Sequence, residues 1–111
     1  MKRFYDSGNK RLIYVGDAAT EQFWDSHWET EDFRKVVTST SNSWVARETK
    51  KYLPKGSKIL EGGCGQANHV FALQQKGFKA VGVDFAPQTV LKLQESVPEL
   101  QIDLGDVRKL P

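Results

Sequence analysis

The segment Ile59-Leu60-Glu61-Gly62-Gly63-Cys64-Gly65 constrains the fold of this 111-residue chain more than any other stretch. A short apolar run ends in a carboxylate, gives way to glycines, and is followed from Ala67 by a helical apolar spacing. A buried parallel strand that delivers its end into a backbone-lined cradle has this form. A second run, Ala80 to Asp84, also ends in an acid, and a third candidate reaches Asp106. Strand ends that each present a carboxylate point to a nucleoside pocket at the carboxyl edge of an open α/β sheet.

Strand and helix signals alternate from Lys58 onward. Lys58 to Glu61 predicts a strand, and Ala67 to Lys76 a helix with Val70, Phe71 and Leu73 on its apolar side, stopped by Gly77. Ala80 to Asp84 is apolar on both faces, as a parallel strand must be. Pro87 suits a first helical turn; Val90, Leu91, Leu93 and Val97 then form a buried stripe that Pro98 closes. Leu100 to Leu104 offers Ile102 and Leu104 as inward residues of a third strand. The expected fold class is α/β: a Rossmann-like, doubly wound parallel sheet truncated to its first β-α-β-α-β half, with right-handed crossovers.

The region before Lys58 is expected to add a hairpin and helices. Lys2 to Tyr5 and Arg11 to Val15 flank an Asp-Ser-Gly-Asn turn. Asp17 to about Val37 reads as helical, with Phe23, Trp24, Trp28 and Phe33 as apolar contacts. Thr38 to Ser43 reads as a loop, and Asn42 or Ser43 caps a further helix through Tyr52. Pro54 and Gly56 separate that helix from the first core strand. The expected organisation is an N-terminal hairpin and helical lid or cap over 1–56, then the sheet-forming part over 57–111.

Composition excludes some classes of function. A formal charge of +2 provides no electrostatic case for nucleic acid, and the small lysine and arginine clusters read as solvated faces. No apolar run approaches the length that crosses a bilayer, and no secretory leader is evident, so no membrane association is expected. Cys64 is the single cysteine, which rules out an internal disulfide. The expected compartment is the cytoplasm.

A loop between a parallel strand and a helix turns sharply, and a ligand lying over it needs backbone free of Cβ atoms. A Walker loop is excluded because no Gly-Lys-Ser/Thr follows. The dinucleotide pattern G-x-G-x-x-G matches at Gly63 and Gly65 but meets Asn68 where close helix packing calls for the last glycine.

Glu61-Gly62-Gly63-Cys64-Gly65-Gln66-Ala67 resembles the first motif of the class I S-adenosylmethionine-dependent methyltransferases, an acid, one residue, then G-x-G-x-G. Ala67 replaces the third glycine; because a left-handed alanine costs about 1–2 kcal/mol, Ala67 is expected to be helical already. Asp84, after Val81-Gly82-Val83, resembles the acid at the end of the family's second strand. Gly105-Asp106-Val107-Arg108-Lys109-Leu110-Pro111 resembles the G-D-x-x-x-L-P segment of the small-molecule branch that includes ubiquinone and menaquinone methyltransferases. The resemblance covers about residues 57–111, and by it the chain looks like an N-terminal fragment.

The resemblance implies S-adenosyl-L-methionine as cofactor and a role for each matching residue. Gly63 and Gly65 approach the methionine part and ribose, and Glu61 orients the methionine amino group. Asp84 accepts from the two ribose hydroxyls, Phe85 lies beside adenine, Asp106 accepts from the adenine amino group, and the Val107 N–H reaches a ring nitrogen. The physical logic holds for any cis-diol, since one carboxylate accepts both of its hydrogen bonds. Each residue has a plainer alternative: a strand-end acid paired with lysine for Glu61, an acid preceding a helix for Asp84, turn chemistry for Asp106, core packing for Phe85. Cys64 has no histidine placed to activate it, and His69 and His27 read as structural or surface residues.

Methyl transfer from a sulfonium is a direct displacement, so positioning supplies much of the rate and no catalytic base is assigned. No metal is expected. The expected partner is a small-molecule methyl acceptor. Without a neighbour on its other side, the first core strand exposes an edge through which the fragment is expected to self-associate, unless the hairpin covers it. Two other readings stay open: an NAD-dependent oxidoreductase half-domain, and a non-catalytic nucleoside-cofactor-binding or interaction module.

Overall fold

The computed structural model describes residues 2–16, 18–29 and 32–110. Its first element is a hairpin of β1 (Lys2–Asp6) and β2 (Arg11–Val15), antiparallel with Phe4 opposite Ile13. The Asp6 carboxylate closes the turn by accepting from the Asn9 backbone N–H (3.3 Å), Asn9 Nδ2 (2.8 Å) and Arg11 Nε (3.3 Å). An aspartate bonded to backbone a few residues on is ordinary turn chemistry.

Three helices follow: α1 (Glu21–Trp28), α2 (Phe33–Thr40) and α3 (Trp44–Tyr52). Thr20 and Ser43 cap α1 and α3, their hydroxyls accepting from Phe23 and Ala46 N–H at 3.2 Å each. The single helix expected from Asp17 to Val37 is therefore two; Asp17, Thr30 and Glu31 lie outside the described residues. The loop expected at Thr38 also starts late, because α2 runs through Thr40. The buried Thr40 hydroxyl donates to the Val36 carbonyl (2.6 Å) and accepts from Asn68 Nδ2 (2.9 Å), a tertiary contact that overrides weak local propensity.

The second half alternates as expected: β3 (Lys58–Gly62), α4 (Asn68–Gln75), β4 (Lys79–Asp84), α5 (Pro87–Ser96) and β5 (Ile102–Leu104), then a 3₁₀ turn at Val107–Lys109. The strands are parallel in the order β3-β4-β5, with Glu61 opposite Gly82 and Asp84 opposite Leu104. One core joins Val70 and Leu73 of α4, Val90 and Leu93 of α5, and Ala80 and Ile102 of the sheet. Two expected core residues are outside it. Leu91 (48% exposed) is off the α5 stripe, where Thr89 is buried instead. Leu104 (60% exposed) shares Ile102's face but lies at the strand's carboxyl end, past the core cluster.

The hairpin forms its own sheet and does not pair with β3, whose one strand partner among the described residues is β4. Leu60 on that strand is 51% exposed. No helix among the described residues is long and apolar enough to cross a membrane.

Ala67 departs from the expected helical geometry. It precedes α4 in the left-handed region (φ 59°, ψ 25°) while fully buried. Strain of about 1–2 kcal/mol opposes the burial of its methyl, about 0.8 kcal/mol, and the entropy glycine would lose, about 0.4–1 kcal/mol. Ala67→Gly is therefore expected to leave stability within about 1 kcal/mol of wild type despite deleting a core methyl. Urea unfolding checks this, and a loss above about 2 kcal/mol, typical of an unstrained core truncation, contradicts it.

Candidate binding site at the carboxyl ends of the strands

The glycine loop is fastened to the neighbouring strand by its own backbone. Gly63 and Cys64 N–H both donate to the Val83 carbonyl, at 2.8 and 3.0 Å. Asp84, 6% exposed, completes the attachment. Its Oδ2 accepts from Gly65 N–H (2.8 Å) and its Oδ1 from Ala86 N–H (3.0 Å), so one carboxylate ties the loop after β3 to the start of α5. The Asp84 carbonyl accepts from Gly105 N–H (2.9 Å), which brings the third strand end alongside. Each carboxylate oxygen retains a second acceptor direction for a ligand.

The glycines have distinct surroundings. Gly63 (φ +70°) has open space where a Cβ would stand. At Gly65 (φ +54°) a Cβ would lie 2.6 Å from the Trp28 indole, and at Gly62 2.7 Å from Val107 Cγ1. Gly63 is thus an uncovered floor, whereas Gly65 carries an aromatic side chain and Gly62 is closed by the third strand end.

A cavity of about 270 Å³ opens over this floor, lined by Gly63, Asp84, Phe85, Gly105, Asp106, Val107 and Arg108, with Ala19, Trp24 and Trp28 completing its wall. Five of the residues singled out from sequence meet here: Gly63, Asp84, Phe85, Asp106 and Val107. Gly65 and Glu61 are not in its wall. The tryptophans were expected as packing residues; their spacing of four on α1 puts both on one face, and His27 bridges them edge-on at 5.5 and 4.7 Å.

Sequence reasoning missed the contact that seats α1. Asp25 Oδ1 accepts from the Thr89 N–H (2.9 Å) and hydroxyl (3.0 Å), binding α1 to the first turn of α5. Gln66 Nε2 adds a bond to the Trp28 carbonyl (3.2 Å). These residues border a second cavity of about 740 Å³ beside the first, with Trp28 shared between them. Asp25 lies in no recognisable motif, and Gln66 falls at a variable position of the glycine segment, so no local signal identified either contact.

The acids differ in environment. Glu61 pairs with His69, Oε1 to Nδ1 at 3.5 Å, in place of the lysine considered from sequence. Its Oε2 is buried and has no hydrogen-bond partner among the described residues. Burial pushes this carboxyl above its usual range; the charge and hydrogen bond of His69 and the nearby Val70 backbone N–H oppose that, and the Asp84 charge adds to it. Asp106 is instead held down to about 2, because Arg108 donates to it through its side chain and backbone N–H. Cys64 is buried, and desolvation with the charges of Asp84 and Glu61 pushes its thiol to about 12, which leaves no thiolate for nucleophilic chemistry at neutral pH. Pro111, last residue of the Gly105 segment, lies outside the described residues.

No protein-family model and no curated protein matches the chain. Solved structures do. The PH0226 protein of Pyrococcus horikoshii is 30% identical over 64% of this chain and 39% of its own (TM-score 0.50). A TehB-like SAM-dependent methyltransferase from Corynebacterium glutamicum is 26% identical over 78% of this chain and 45% of its own (TM-score 0.54). An S-adenosyl-L-methionine-dependent methyltransferase assigned in Methanococcus maripaludis is 15% identical over 89% and 48% (TM-score 0.59), a likeness of fold. The chain thus spans under half the length of these structures, and its α/β architecture is the Rossmann-like fold they share.

Proposed function

We propose that this chain binds S-adenosyl-L-methionine and forms the cofactor-binding part of a methyltransferase acting on a small molecule. The observation that carries the proposal is the joining of Gly63's open floor, the Asp84 carboxylate and the Phe85–Val107 wall in one cavity at the strand ends. Drug-sized ligands occupy pockets of about 300–1,000 Å³; at about 270 Å³ the cavity suits the nucleoside portion. The donor set fits as well. Asp84 accepts one backbone N–H at each oxygen and retains acceptor capacity for a cis-diol, and the orphaned Glu61 Oε2 calls for a donor such as an ammonium group.

When bound, the cofactor supplies an electrophilic methyl on a sulfonium with a neutral leaving group. The chain's own part is to bind and orient. Asp84 holds the sugar, Gly63 admits the ligand against the backbone, and Trp24 and Trp28 exclude water from above. None of the site carboxylates is proposed as a general base.

Titration with S-adenosylhomocysteine, followed by calorimetry and amide NMR, tests this. Saturable binding is expected, with shifts at Gly63, Asp84 and Gly105–Val107, a change in tryptophan fluorescence, and no comparable response to NAD. Absence of these shifts in folded protein overturns the proposal. A matched response to NAD favours the oxidoreductase reading.

A further inference from the structure

The Glu61–His69 pair lies beside the loop but outside the cavity wall, and the cofactor reading leaves His69 unused. Glu61 reaches the loop from β3, while His69 stands in the first turn of α4 with Nδ1 3.5 Å from Oε1. Both side chains are largely covered, at 28% exposure each. The other oxygen, Oε2, is buried and unpartnered among the described residues. A carboxylate held at one oxygen and orphaned at the other is half of a two-donor site.

Resting on the cofactor reading above, we propose that His69 is a positioning residue: it holds Glu61 Oε1 so that Oε2 is left to accept from the cationic amino group of the cofactor's amino-acid portion. The arrangement has a signature that a purely structural histidine lacks. A neutral imidazole donates Nδ1–H and leaves the carboxylate's full charge to the ligand. A protonated one adds a positive charge that competes with the ammonium for the same carboxylate. Affinity for an amino-bearing ligand therefore rises as pH rises through the histidine range.

The other groups around the pair do not produce this signature. Cys64, whose thiol is pushed to about 12, stays neutral across that range, and Asp84 stands at the end of β4 with both oxygens engaged by backbone N–H groups. Lys35 of α2, Arg47, Lys50 and Lys51 of α3, Lys58 of β3 and Lys79 of β4 are exposed to solvent, and Glu48 of α3 is partly buried. Glu61 is the acid within ion-pair distance of His69 among the described residues. His27, the second of two histidines, lies on α1. It packs edge-on against Trp24 and Trp28 and is in neither cavity wall, and the adenosine control, which lacks the amino group, reads any effect it has on the nucleoside.

The test measures S-adenosylhomocysteine and adenosine on wild type, His69→Gln and Glu61→Gln from about pH 5.5 to 8, around the ordinary histidine pKa. In wild type, the ratio of the two affinities is expected to rise about fivefold in favour of S-adenosylhomocysteine, the share of a tenfold proton-linked difference expressed over that window. In His69→Gln the rise shrinks to the part that Glu61's own raised carboxyl supplies, and Glu61→Gln loses most of the preference at every pH. The His69 imidazole resonances, followed by NMR, are expected to move on saturation with S-adenosylhomocysteine but not with adenosine. An undiminished slope in His69→Gln, or an unmoved imidazole in a wild type that binds S-adenosylhomocysteine, overturns the proposal while leaving the cofactor reading intact. Failure of wild type to bind either ligand overturns both.

Discussion

Asp84→Ala is expected to cost about 3–5 kcal/mol of stability, because two buried N–H groups lose a charged acceptor at once. Gly65 and Ala86 donate to its two oxygens at 2.8 and 3.0 Å, and Asp84 is almost fully buried. A hydrogen bond to a charged group contributes about 1.5–3 kcal/mol, and each orphaned donor carries a desolvation cost of similar size. A small domain has about 5–15 kcal/mol in total, so the alanine variant is a poor vehicle for binding measurements. Asp84→Asn is the sharper probe. It keeps the shape and one acceptor but turns an NH₂ toward a backbone N–H, so a smaller stability loss is expected, with cofactor affinity falling by about 10-fold or more. Urea unfolding and calorimetry measure the two effects separately. A loss below about 1 kcal/mol for Asp84→Ala contradicts the bracing role. Unchanged S-adenosylhomocysteine affinity in folded Asp84→Asn removes Asp84 from the ligand site.

Gly82→Val is expected to destabilise the protein by about 3 kcal/mol or more. Gly82 is buried in the middle of β4, opposite Glu61. A Cβ there would lie 2.8 Å from Cys64 Sγ, 2.9 Å from Cys64 Cβ and 3.0 Å from Ile102 Cδ1. Two of those atoms belong to the glycine loop, which is pinned to Val83 by a pair of backbone bonds and cannot retreat freely. Overpacking of this kind usually costs about 1–3 kcal/mol, and valine adds two further methyl groups to the clash. The milder Gly82→Ala lets the cause be isolated: combined with Cys64→Ala, which removes the sulfur, it is expected to recover part of its loss. Strict additivity of the two substitutions in urea unfolding contradicts the account.

These two residues mark how far the sequence could be read. The acid at the end of each strand and the glycines after the first were visible as a pattern, because strand, turn and helix each impose a local residue preference. Asp84 was legible as a ligand-binding candidate for the same reason. Its bonds to Gly65 and Ala86 were not, since they join backbone groups that only the folded chain brings together. Ala67 shows the limit at a single residue. Local preference predicts a helical alanine, yet the residue takes the left-handed geometry at the end of the loop and the core covers it.

The sequence by itself determined the alternating β-α-β-α-β order and the glycine floor, along with half of the residues that line the cavity. Periodicity and backbone freedom are properties of neighbours along the chain. Tertiary structure alone decided that α1 seats on α5 through Asp25 and Thr89, that Trp28 rests on Gly65, and that Glu61 answers to His69. Contacts between distant segments depend on packing geometry and on which buried polar groups need partners, and no short-range pattern encodes either.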